Sequence, residues 1–139
     1  MMKLLPLELD QTLEFASRAL REKPDAIAPD GSEVRLLAAS QRGSMAQFSL
    51  PPGKISVAVC HRTVEELWYF TGGTGKLWRK AGKTEETIEV HQGVSISIPV
   101  GTHFQFRCDS ATPLQAVGVT MPPWPGTTEA FAVPGIWNN

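Results

Sequence analysis

A chain of 139 residues, 42% hydrophobic and 19% charged, has the size and composition of one globular domain, long enough to bury about two-thirds of its unfolded surface. A net charge of −1, a sequence pI near 6.3 and the lack of any Lys/Arg run exclude an electrostatic footprint for nucleic acid. No apolar run approaches the roughly 18 residues of a membrane span. The start, MMKLLPLELD, does not read as a signal peptide, because its apolar patch is broken by Pro6 and closed by Glu8 and Asp10. Cys60 and Cys108 form neither a CxxC pair nor a dense framework, so reduced thiols and a cytoplasmic protein are expected.

Taken in order, residues 1–8 read as an extended arm. Residues 11–23 follow as an amphipathic helix, with Leu13, Ala16 and Leu20 on one stripe, Asp10 as its cap and Pro24 as its stop. Together they make an N-terminal arm and helix (1–32) packed on the rest. From residue 33 the texture changes to short runs divided by Gly, Pro and polar turns: EVRLLAA, SMAQFSL, ISVAVCH, ELWYFTG, KLWRK, TIEVH, VSISI, FQFRC and LQAVGVT. Val57, Val59 and His61 alternate with Ala58 and Cys60, and Val94, Ile96 and Ile98 alternate with two serines. Nine or ten short strands of period two predict an all-β sandwich or barrel over 33–120, with antiparallel pairing. Residues 121–139, rich in Pro and carrying Trp124 and Trp137, read as an ordered strap rather than sheet, because Pro lacks the donor a central strand needs.

Two of these stretches carry the signal. Gly53, five residues, Val59-Cys60-His61, four residues, Glu66, six residues and Gly73 make one spaced frame; Gly93, five residues, Pro99-Val100-Gly101, two residues, Phe104, three residues and Cys108 make another. In these frames, from residues 44 to 120, the chain resembles the cupin superfamily, and the HRTVEE segment is similar to that of bacterial single-domain cupins. The resemblance implies a double-stranded β-helix, or jelly-roll barrel. It also implies that residues 59, 61, 66 and 104 face one internal site, where metal-binding cupins place three His and one Glu around a divalent ion. Here Val59 and Phe104 replace two of the histidines, and His61 and Glu66 remain.

Two donors hold a transition metal weakly. The first reading is therefore a small-molecule-binding barrel with a degenerate metal site. Val57, Val59, Trp68, Phe104 and Phe106 line its pocket, and His61 and Glu66 are its polar anchors and candidate catalytic pair. Metal-independent isomerase- or lyase-type proton transfer suits one His with one carboxylate. The second reading is a metal-dependent dioxygenase or isomerase that uses His61, Glu66 and His103 to hold Fe, Mn, Ni or Zn. Period two points His103 away from the site, and only a bulge after Gly101 would turn it inward. The third is a non-catalytic sensor or binding module. In each the partner is a small molecule, and an apolar outer sheet with Ala58, Cys60 and Tyr69 on it predicts a homodimer. Gly72 to Gly75 read as a hairpin turn, His91 as an exposed strand end, and Ser95 and Ser97 as outward-facing. The substrate is not legible.

Overall fold

The computed structural model describes residues 15–139 as an antiparallel β sandwich. The strands are β1 (Ala26–Ile27), β2 (Glu33–Ala39), β3 (Ser44–Leu50), β4 (Val59–His61), β5 (Glu65–Gly72), β6 (Thr74–Ala81), β7 (Thr84–His91), β8 (Ser95–Ile98), β9 (His103–Cys108), β10 (Leu114–Met121) and β11 (Ala130–Ala132). One sheet has the order β1-β2-β3-β10-β5-β8 and the other β11-β4-β9-β6-β7. The chain therefore crosses between layers at residues 62–64, where β4 of the second sheet hands over to β5 of the first. That crossing decides where the site lies.

Alternation sorts the side chains. In β5, Glu66, Trp68 and Phe70 are buried while Glu65, Leu67, Tyr69 and Thr71 are exposed. In β9, Phe104, Phe106 and Cys108 join the core while His103 and Arg107 stay half-buried on the other face. Trp68 sits at the centre of an aromatic cluster. It stacks on Phe48 at 5.0 Å between ring centroids and meets Phe70, Phe104 and Phe106 edge-on. Gly118 of β10 makes this possible, because a Cβ there would lie 2.7 Å from Phe48 and 2.8 Å from Trp68. Residues 72–75 form no hairpin, because β5 and β6 lie in different sheets and the chain crosses between them here; Gly73 takes a φ of 74°, and a Cβ would strike the Pro113 carbonyl. Glycine thus stands at this corner between the sheets for backbone reasons.

Further expectations need correction. Residues 15–23 form no helix; the start of the stretch, residues 11–14 with its cap Asp10, lies outside the described residues. The Arg35 guanidinium of β2 takes the carbonyls of Arg21 and Glu22, at 2.9 and 2.7 Å, and Asp25 accepts the Leu36 amide at 2.8 Å. Carbonyls bound sideways to a neighbouring strand are not free for a helical ladder, and this overrides the weak stripe. Leu20, which the stripe would have buried, is exposed, and so is Phe15.

The C-terminal strap also contains a strand. Ala130, Phe131 and Ala132 pair with His61, Cys60 and Val59, at the sheet edge where the surrounding prolines are tolerated. Beyond it, Gln105 receives the amides of Ile136 and Trp137 and donates to the carbonyls of Ser56 and Trp137, all at 2.9–3.0 Å. The strap therefore covers Ala58 and Cys60 with this chain's own residues. They are buried, and only Tyr69, on the other sheet, stays on an open outer face.

Candidate functional site

His61 ends β4 in one sheet, and Glu66 stands near the start of β5 in the other. The three-residue crossing brings them to the same end of the barrel, where both are buried, with 5% and 3% of their surface exposed. His61 Nδ1 lies 2.9 Å from Glu66 Oε2 but off the line of an in-plane N–H, so the contact is close without being an aligned hydrogen bond. The other oxygen of Glu66 accepts the Trp68 indole N–H at 2.7 Å, which fixes the carboxylate. The imidazole is held between the edges of Phe104 and Trp124, each 5.2 Å away between centroids. Trp124 comes from the strap and covers the pair from outside, its backbone amide bound to the Ser44 hydroxyl at 3.0 Å.

Several groups around the pair carry no sequence signal of their own. Thr120 faces inward beside Glu66, its register partner, and its hydroxyl meets that of Ser44 at 2.7 Å. Thr102, next to Gly101 in the second frame, is buried to 2% exposure. Asp30, from the turn before β2, is buried with its carboxylate on the Ser32 amide and hydroxyl. Burial pushes the Asp30 carboxyl up, the Ser32 bonds oppose this, and Glu66 adds to the rise. Glu129, from the strap, accepts the Thr63 amide, the Thr63 hydroxyl and the Val64 amide at 2.6, 2.6 and 2.9 Å. Burial acts upward on Glu129, but these bonds outweigh it and hold the carboxyl below its ordinary value.

The remaining predicted residues are placed as follows. Val59, Trp68, Phe104 and Phe106 are buried in the core cluster, with Val57 packed against it, and Phe104 links that cluster to the His61 ring. His103 pairs across the sheet with Cys60 and Lys80 and shares their face, opposite the one that bears Phe104. It is not brought to His61. Gly101 does turn the chain, with φ of 79°, yet β9 enters with unbroken alternation, and no bulge re-aims His103. Among the described residues no three of His, Cys, Asp and Glu gather as metal ligands. With hydrocarbon at 59 and 104 and two donors left, the residues present do not fit a divalent transition ion. A surface hollow of about 560 Å³ over Leu67, Tyr69, Ser95, Ser97, Val117 and Val119 lies outside the first sheet and away from His61.

A cupin-domain family model matches residues 46–120, more than half of the chain. The chain belongs to the cupin family. Solved structures agree at the level of fold. A Bacillus halodurans protein aligns at a TM-score of 0.59 and 19% identity, over 72% of this chain and 74% of that one. Oxalate decarboxylase of Bacillus subtilis, an enzyme with Mn(II) centres, aligns at 0.66 and 15% identity, over 81% of this chain but 30% of its own. A Klebsiella pneumoniae protein with a double-stranded β-helix domain aligns at 0.66 and 12% identity, over 88% and 100%. This chain thus spans less than a third of the decarboxylase. No curated protein matches the sequence. Among the described residues, no helix is long and apolar enough to cross a membrane.

Proposed function

We propose that this cupin binds a small molecule at the His61–Glu66 end of its barrel, and that the pair serves metal-independent proton transfer of isomerase or lyase type. One observation carries the reading: an imidazole and a carboxylate from opposite sheets meet at 2.9 Å, buried. A structural core has no need of two ionisable groups there, since burying them costs free energy that hydrocarbon would not. Glu66, fixed by Trp68, orients His61 and compensates the charge when the imidazole takes a proton. Val57, Val59, Trp68, Phe104 and Phe106 supply the apolar surroundings, and entry is past Trp124. The protein acts in the cytoplasm, away from nucleic acid, and pairs through its open outer sheet with a second copy.

The metal-dependent alternative, with Fe, Mn, Ni or Zn on His61, Glu66 and His103, would require His103 to cross to the other face of β9. Oxalate chemistry is not carried over from the decarboxylase, because at 15% identity that likeness is one of fold alone. A non-catalytic sensor would use the same pocket without turnover.

The test is a thermal-shift screen of the full chain against small alcohols, sugars, keto acids and hydroxy acids, repeated with His61→Ala and Glu66→Gln. Stabilisation of the wild type that both variants lose is expected. Hits that survive both substitutions would end this reading. Elemental analysis after growth with Fe, Mn, Ni and Zn accompanies it, and about one ion per chain would favour the metal enzyme instead.

A further inference from the structure

Among the described residues, two buried side-chain polar atoms have no hydrogen-bond partner: His61 Nδ1 and Thr102 Oγ1. Leaving such a group unsatisfied costs about 1–3 kcal/mol. The two atoms belong to one place. Val59 pairs with Phe104 and Cys60 with His103, so one further step sets His61 opposite Thr102, and the Gly101 amide donates to the His61 carbonyl at 3.3 Å. Thr102 stands two residues before Phe104, on the alternation that faces the core. The neighbouring polar groups are already engaged: Ser44 with Thr120, and Glu66 Oε1 with Trp68. Thr102 is the hydroxyl left over at this end of the barrel.

Charge limits what could satisfy it. Asp30, Glu66 and Glu129 all act on or around His61, and Asp30 is already pushed up by burial with Glu66 contributing. The nearby guanidiniums are turned elsewhere. Arg62 donates to the Thr128 carbonyl and lies over Phe131, and Arg79 serves Ser97 and Glu86. Sites for carboxylates or phosphates offer Arg or Lys; this one offers carboxylates and ring edges.

We propose that Thr102 is a third anchor of this site, and that its hydroxyl, with His61 Nδ1 across the strand pair, binds the alcohol or carbonyl oxygen of a small uncharged ligand. This rests on the reading of the His61–Glu66 end as a ligand site. The hydroxyl can donate to a carbonyl or exchange bonds with an alcohol, while Phe104 and Trp124 take the apolar remainder of the molecule. A trapped water alone would satisfy the same two atoms, and the experiment separates the cases.

Full-length, nitrogen-labelled protein is titrated by NMR with two neutral–anionic pairs, ethylene glycol against oxalate and acetone against acetate. The neutral probes are expected to move the Thr102 and His61 signals, and the anions to leave them in place. Thr102→Val should weaken the neutral probes roughly five- to tenfold, and Thr102→Ser should stay within about twofold of wild type. Should the anions move these signals and the neutral probes not, the ligand class is wrong. If Thr102→Val and Thr102→Ser both bind the neutral probes like the wild type, Thr102 holds a structural water only, and the site reading survives without it. Silence at His61 with every probe overturns both the anchor and the reading beneath it. Thr102→Ser keeps the outcome decisive if the valine variant unfolds.

Discussion

At the scale of single residues, Glu66 is the hinge of the site. One oxygen is bound by the Trp68 indole and the other faces His61 Nδ1, so the residue ties the aromatic core to the imidazole. Removing its side chain leaves the Trp68 N–H unsatisfied and His61 beside a void. Glu66→Ala is expected to lose about 1–3 kcal/mol in urea unfolding, and Glu66→Gln, which keeps an acceptor for Trp68, to lose less. Equal losses would mean that the carboxylate's charge, not its hydrogen bond, holds the cluster. The two substitutions at 59 and 104 work in the opposite sense. Phenylalanine at 104 and valine at 59 fill with hydrocarbon the positions from which metal-binding cupins reach an ion, and each adds to the core that Trp68 centres.

At the scale of elements, the C-terminal strap holds the site shut. It adds β11 beside β4, lays Trp124 on His61, and uses Glu129 to bind the crossing at residues 63 and 64 from which the pair diverges. Because Glu129 is held below its ordinary value near 4.5, its contribution is fully present above that pH and is lost as pH falls through the lowered value. Glu129→Gln should therefore lower the melting temperature at neutral pH and flatten its decline below about pH 4.5. Melting curves of wild type and variant that stay parallel from about pH 7 to about pH 3 would remove Glu129 from this role.

At the scale of the whole molecule, the two sheets differ on their outer faces. The second is covered by the strap over β4 and β9. The first leaves Leu67 and Tyr69 more than half exposed beside Val117, Val119 and Met45, in one apolar row across β5, β10 and β3. An open apolar sheet face of this kind is where a second copy would pack. Light scattering at micromolar concentration should then give a dimer for the wild type and a monomer for Leu67→Lys. A monomeric wild type would return that face to solvent and leave the His61 site unaffected.

The strand pattern was legible because a side-chain period of two shows in the sequence whenever one face of a strand is buried. The runs at 33–39 and 44–50 coincide with β2 and β3, and the motif frames singled out His61 and Glu66, two side chains that the fold brings into contact. The distance between them, the covering of His61 by Trp124, and the gathering of Asp30, Thr102 and Glu129 were not legible. Those residues come from turns and from a strap 30 to 70 positions away, with no periodicity to mark them. The N-terminal stripe misled for a related reason: a short amphipathic pattern is a weak local preference, and the Arg35 side chain on β2 competes for the same carbonyls. Local alternation and motif frames determined which residues face inward. Only tertiary closure decided which of them meet, because contacts between two sheets depend on strand order and strap path, which the local pattern does not encode.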